Sequence, residues 1–244
     1  MEWSKDKWDF QEEGETLFVD KPLDWTSFDV VKKIKTLFNV RKVGHAGTLD
    51  PKATGLLIVC TGKKTKSLDS YLDVAKEYTG AFELGVRTPS FDSETKVYEV
   101  GDFSHVTPQL LERTIKQFTG KIMQKPPMYS AVKIEGRPLY LYARKGKSIN
   151  RSAREVEILD FRVTRFSPPL IDFDIICSKG TYIRTLVEDL GIALGCGCTL
   201  RSLRRTRIGS VRVEDAMTID DLISLRDANF GNRQLHHEVS QPAE

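Results

Sequence analysis

Two stretches of alternation constrain the fold more than any other feature of this sequence. Tyr78, Gly80, Phe82 and Leu84 form one, and Ile171, Phe173, Ile175 and Cys177 form the other. A period of two sends those side chains to one face of a pleated strand. The chain must therefore build a sheet with a covered face. Residues 17–19 read as a short strand, residues 56–60 as a buried one, and residues 200–208 as a strand rich in arginine.

Helical stripes stand between these strands. Val30, Val31, Ile34, Leu37 and Phe38 share a face of a helix that starts near Thr26 or Ser27. Thr107-Pro108 opens a second, with Leu110, Leu111, Ile115 and Phe118 as its stripe and Gly120 as its end. Ile183, Leu186, Val187, Leu190 and Leu194 mark a third, closed by Gly195, and Thr218 with Asp221 caps a last short one. Residues 43–54 read as a loop. The order lacks the strand-helix alternation of a doubly wound sheet, so the expected class is α+β around a mostly antiparallel sheet.

Forty per cent of the 244 residues are hydrophobic, which suits a real core. No apolar run reaches the length of a membrane span. Seven acids and two lysines in the first twenty residues give the wrong charge for a targeting peptide, so the expected location is cytoplasmic. Cys60, Cys177, Cys196 and Cys198 lack zinc spacing and nearby histidines, so four reduced thiols and no metal are expected. Net charge is only +3, but residues 137–154 carry six basic residues and no acid, and residues 201–212 carry five arginines and no acid. Such stretches fit either a solvated surface or contact with a polyanion.

Three places can carry chemistry. Gly44-His45-Ala46-Gly47-Thr48-Leu49-Asp50-Pro51 presents a carboxylate from a glycine-rich loop. Asp-Pro is also common turn punctuation, so both readings stand. Lys179-Gly180-Thr181-Tyr182-Ile183-Arg184-Thr185 puts a tyrosine and an arginine on one side if the segment stays extended. Arg184 suits a carboxylate partner and Tyr182 a stacked base, but a tyrosine at the rim of the core is the plainer reading. In Lys76-Glu77-Tyr78 the tyrosine reads first as core, and His45 as either a loop hydrogen bond or a phosphate contact.

These segments occur in a telling order. Asp20-Lys21-Pro22 comes first, then the Gly44–Pro51 stretch and Lys76-Glu77-Tyr78. Pro126-Pro127-Met128-Tyr129-Ser130-Ala131-Val132-Lys133, Leu139-Tyr140-Leu141-Tyr142-Ala143-Arg144-Lys145-Gly146 and Cys177–Thr185 follow. From about Glu15 to about Leu225 the chain resembles the TruB family of tRNA pseudouridine synthases.

That resemblance implies a tRNA pseudouridine(55) synthase, an isomerase acting on a flipped-out T-loop uridine. It implies Asp50 as the catalytic aspartate, Tyr78 as the tyrosine that stacks on the flipped base, and Tyr182 as an aid to proton loss from C5. Arg184 falls on the arginine that pairs with the catalytic carboxylate. Lys21 and Pro22 support the active-site loop, and His45 contacts RNA around the displaced nucleotide. Lys21, His45, Tyr129, Lys133, Arg144, Lys145, Arg204 and Arg205 are taken as RNA-binding. The implied layout is an acidic tail over residues 1–15 and a single catalytic domain over 16–225. A thumb insertion over about 125–155 closes on the RNA, and a tail over 226–244 is too short for an RNA-binding PUA domain. The implied partner is the T-loop and stem of tRNA, with a monomer, no membrane, no obligatory protein partner and no cofactor. Three alternatives remain: a non-catalytic RNA chaperone, a guide-RNA-dependent synthase, and a nucleoside hydrolase that would release free uracil.

Overall fold

The computed structural model describes residues 8–134 and 136–230. Among them, no helix is long and apolar enough to cross a membrane. The described residues form two compact units. One comprises residues 8–72 and 211–230, and the other runs from Asp73 to Ser210. The catalytic domain expected over residues 16–225 is built from parts of both, because its last segment returns to its first. The Met217 amide donates to the Phe18 carbonyl at 2.8 Å, and the Asp20 amide to the Met217 carbonyl at 2.9 Å.

The first unit opens with β1 (Thr16–Lys21), α1 (Ser27–Leu37), β2 (Val43–Ala46), β3 (Ala53–Thr61) and the short α2 (Leu68–Leu72). β3 is antiparallel to both β1 and β2. Its continuous apolar run is wholly buried. Thr26 caps α1 reciprocally: its hydroxyl accepts from the Asp29 amide, and the Asp29 carboxylate accepts from the Thr26 amide. The stripe then packs Val30, Val31, Ile34 and Phe38 on Leu17, Val19, Leu57 and Val59. β2 corrects the expected loop over residues 43–54, which shrinks to 47–52. Val-Gly-His-Ala has no alternation to announce a strand, and its pairing with β3 makes it one.

Residues 8–15 also differ from the expected loose tail. Phe10 is buried in the same core and stacks on Phe38 with ring centroids 4.1 Å apart. The acids around it are used locally, since Asp9 accepts the amides of Gln11, Glu12 and Glu13.

The second unit begins with β4 (Lys76–Leu84), the small pair β5 (Val86–Arg87) and β6 (Glu99–Val100), α3 (Pro108–Ile115) and β7 (Gly120–Gln124). β8 (Lys133–Ile134), β9 (Arg137–Pro138) and α4 (Leu139–Ala143) lie in the expected thumb. Then come β10 (Arg154–Ser167), β11 (Leu170–Cys177), α5 (Ile183–Leu194) and β12 (Cys198–Ile208). The sheet of this unit runs β12-β4-β11-β10-β7, antiparallel at every step. Both alternating stretches fall on neighbouring strands, β4 and β11, and bury Phe82 against Phe173. β10 had no sequence signal. Register shifts at Ile158/Asp160 and Val163/Arg165 break its alternation.

Gln124 and Arg154 face each other in register, so the segment between them leaves the sheet and returns at one point. It carries the β8-β9 hairpin and α4, tied down by the buried Leu139, whose amide donates to the Val132 carbonyl at 2.8 Å. The first unit is completed by α6 (Ile219–Phe230), capped by Thr218 and Asp221. Leu222 from this helix joins the core of Phe10 and Leu17. Residues 226–230 are helix rather than tail. The remainder of both expected tails, 1–7 and 231–244, lies outside the described residues.

Candidate active site

In the first unit, Asp50 begins a turn whose ends meet: its carbonyl accepts the Ala53 amide at 3.0 Å. Asp followed by Pro at the second position is the composition such a turn favours. Both neighbours of Asp50 are anchored. The Ser27 hydroxyl accepts from the Leu49 amide at 2.9 Å and donates to the Leu49 carbonyl at 3.2 Å. The Pro51 carbonyl accepts the Asp24 amide at 2.9 Å. Lys21 is 0% exposed, and its ammonium donates to the carbonyls of Pro22 at 2.9 Å, Trp25 at 2.6 Å and Pro51 at 3.5 Å. A buried ammonium persists only where such acceptors replace water. Gly47 has φ of +78°, a conformation costly for any other residue, so the chain can turn between His45 on β2 and Asp50.

In the second unit, Arg184 is 3% exposed. One guanidinium nitrogen donates to the Ser90 carbonyl at 3.0 Å and another to the Tyr129 carbonyl at 2.9 Å. Its Nε lies 3.5 Å from the carboxylate of Asp92, itself buried. A tight loop shapes that carboxylate's position: Thr88 donates to the Asp92 carbonyl at 2.7 Å, and the Glu94 amide donates to Asp92 Oδ1 at 2.9 Å. Tyr182 is the N-cap residue of α5 and is half-buried. Buried Gln124 clamps its backbone at both ends, accepting from the amide at 2.7 Å and donating to the carbonyl at 3.0 Å. The Arg154 guanidinium lies over the Tyr182 ring at 5.1 Å. Tyr78 is buried on β4, between Ile175 of β11 and Arg205 of β12.

The basic residues fall into two classes. Lys133, Arg144 and Lys145 are exposed on the excursion that also carries half-buried Tyr129. Arg144 lies 3.6 Å from Glu94 and its guanidinium 5.4 Å from the Tyr140 ring centroid. On β12, by contrast, Arg201 pairs with Glu83, and Arg207 with Glu77 at 2.9 Å. Arg204 is half-buried and Arg205 is 1% exposed. All four cysteines are buried and free, and no metal-holding cluster of His, Cys, Asp or Glu occurs among the described residues.

Residues 35–183 match the model of the TruB family pseudouridylate synthase N-terminal domain, and residues 184–244 that of the tRNA pseudouridylate synthase B C-terminal domain. The chain belongs to the TruB family. It is similar to a tRNA pseudouridine synthase B of Flavobacterium johnsoniae, 48% identical over 85% of this chain and 93% of the relative. It is also similar to one of Chloroherpeton thalassium, 47% identical over 86% and 90%. Among solved structures, a Cbf5-Nop10-Gar1 complex contains a similar chain, with TM-score 0.68 and 32% identity over 86% of this chain. This chain spans about half of that longer one, 53%.

Within the family's frame, the geometry corrects several expectations. Lys21, taken as RNA-binding, is sealed beneath the Asp50 loop, where it supports that loop and offers RNA no surface. Arg205 is likewise interior, and Arg201 and Arg207 meet acids from β4. Those acids stand more than a hundred residues away in sequence, so an acid-free stretch did not reveal them. Tyr182 and Arg184 do not share an extended side, because the helix begins at Ile183. Ser27, Asp92 and Gln124 escaped the sequence reading: each is an ordinary polar residue whose partners lie far along the chain.

Proposed function

We propose that this TruB family member is a tRNA pseudouridine(55) synthase, with Asp50 as its nucleophile and the T-loop of tRNA as its substrate. Family membership supports the reaction class. The observation that carries the residue assignment is the anchoring of Leu49 and Pro51, which fixes the backbone turn from which Asp50 is presented. Catalytic groups gain from such preorganisation because the ordering cost is met on folding.

The reaction is an isomerisation. The N1–C1′ bond breaks, the C5–C1′ bond forms, C5 loses a proton and N1 gains one. Nothing is added or removed, so the chemistry asks for positioning and proton transfer rather than a redox partner. A stacked, paired uridine must first be extruded, at a cost of a few kcal/mol. Tyr78 stacking, worth about 1–3 kcal/mol, offsets part of that. Asp50 then attacks C1′ or assists a glycal, Tyr182 helps remove the C5 proton, and Arg184 supplies the positive charge that suits the catalytic carboxylate. His45, Tyr129, Lys133, Arg144 and Lys145 contact the RNA, and the enzyme works as a cytoplasmic monomer.

The test is site-resolved pseudouridine mapping on unmodified tRNA transcript without added cofactor. Wild type should modify the T-loop uridine. Asp50→Asn should bind the same RNA and lose at least about three decades of rate, about 4 kcal/mol of transition-state stabilisation. Turnover in that variant close to wild type would remove Asp50 from the mechanism. Released uracil would replace the isomerase reading with a hydrolase.

A further inference from the structure

A third acid-free basic stretch runs through the first unit. Residues 30–49 contain Lys32, Lys33, Lys35, Arg41 and Lys42 and no acid. Unlike Arg201 and Arg207 of β12, none of these five is in an ion pair with an acid among the described residues. Lys32, Lys35, Arg41 and Lys42 are exposed. Phe28 stands one helical turn before Lys32 and two before Lys35, so the three share the outer face of α1. Phe28 is 69% exposed, and Leu23, in the loop leading to the helix, is 55% exposed.

The placement of this face is fixed. Ser27, the first residue of α1, is the residue bonded to Leu49, and Asp24 is bonded to Pro51 and paired with Lys52 at 2.6 Å. The face therefore starts at the Asp50 loop and extends roughly 10 Å along the helix, at about 1.5 Å per residue. Asp29, the nearest acid on the helix, is committed to the cap: its two hydrogen bonds from Thr26 hold its pKa down. An outward aromatic beside exposed cations that form no ion pair among the described residues is the combination that binds nucleic acid, the ring stacking on a base while the cations meet phosphates.

We infer that the outer face of α1, made of Phe28, Lys32 and Lys35 and continued by Arg41, is a second RNA-binding surface, with Phe28 stacked on an unpaired base of the substrate. The inference rests on the RNA-modifying function proposed above and adds an RNA contact to that of His45 in the first unit and to those of the excursion in the second.

Three variants test it, each first shown to keep the wild-type thermal melt. One is Lys32→Gln with Lys35→Gln and Arg41→Gln, and the others are Phe28→Ala and Phe28→Trp. Binding to unmodified tRNA transcript is measured across a salt series. The triple variant should flatten the slope of log K against log salt by roughly 2–3 units, about one for each phosphate no longer neutralised. Phe28→Ala should weaken binding about tenfold with little change in slope, and Phe28→Trp should restore it. An unchanged slope in the triple variant, or unchanged affinity in Phe28→Ala, overturns the inference. So does disappearance of a concentration-dependent dimer in Phe28→Ala while RNA binding stands, which would make the face an interface between copies of this chain. Pseudouridine formation by wild type on the same transcript is read separately, so failure of the enzymatic reading is distinguishable from failure of this one.

Discussion

Ser27 makes two hydrogen bonds to the backbone of Leu49, and both residues are buried. Its removal leaves a buried amide and a buried carbonyl without those partners. Ser27→Ala should cost about 1–3 kcal/mol in chemical denaturation, the scale for an unsatisfied buried group. If the anchoring matters to the reaction, the variant should also lose kcat more than it gains KM, because it disturbs aim rather than RNA grip. Unchanged kcat with reduced stability would leave Ser27 a purely structural residue. Lys21 makes a related point. The Lys-Pro pair marks it in the sequence, but a lysine in a linear chain looks like a surface charge. Only the three carbonyls around it reveal an interior strut.

Among the elements, α5 carries both Arg184 and an acidic pair, Glu188 and Asp189. Glu188 is buried and paired with Arg87. Burial, then the charge of Glu188, raises the Asp189 pKa to about 6. The folded state thus holds this proton more tightly than the unfolded chain, whose carboxyl sits near 3.8. Its contribution to stability falls as pH rises from about 4 through about 6 and stays low above that. Asp189→Asn should remove that decline. It should raise stability at a pH of about 7.5 by about 1 kcal/mol, a figure discounted for the residue's partial exposure. Denaturation at that pH and at about pH 4 checks it. Equal or lower stability of the variant at the higher pH would show that Asp189 carries no desolvation penalty. Burial also explains which elements were legible. α1, α3, α5, β4 and β11 announce themselves because one face of each is largely buried. β10 is hidden by its bulges and β2 by its small residues.

Across the whole molecule, segments from both ends of the chain belong to one core. Phe10 lies with Leu17, Phe38 and Leu222, and the strand β1 exchanges hydrogen bonds with Met217. Phe10→Ala should therefore cost about 3–5 kcal/mol, the usual range for emptying a buried aromatic site. A change below about 0.5 kcal/mol, the range for surface substitutions, would mean that residues 8–15 are the loose tail their acidity suggests. The charge pattern also resolves only at this level. The β12 arginines and the α1 lysines look alike along the chain. Strand pairing sets Arg207 and Arg201 against Glu77 and Glu83, whereas the α1 lysines pair with no acid among the described residues.

The fold class, the positions of the main helices and strands, and the family were all legible along the chain, because periodicity and ordered motifs are properties of near neighbours. Asp50, Tyr78, Tyr182 and Arg184 were marked there too. What surrounds them came from the folded arrangement. Folding sets Asp50 in a turn anchored through Ser27, Asp24 and Lys21, and holds Arg184 with Asp92 and two carbonyls. It also selects which cations are spent on acids and which face outward. Each of those outcomes depends on partners brought together from distant parts of the chain, where burial strips away water and leaves only the protein to satisfy a charge or a hydrogen bond.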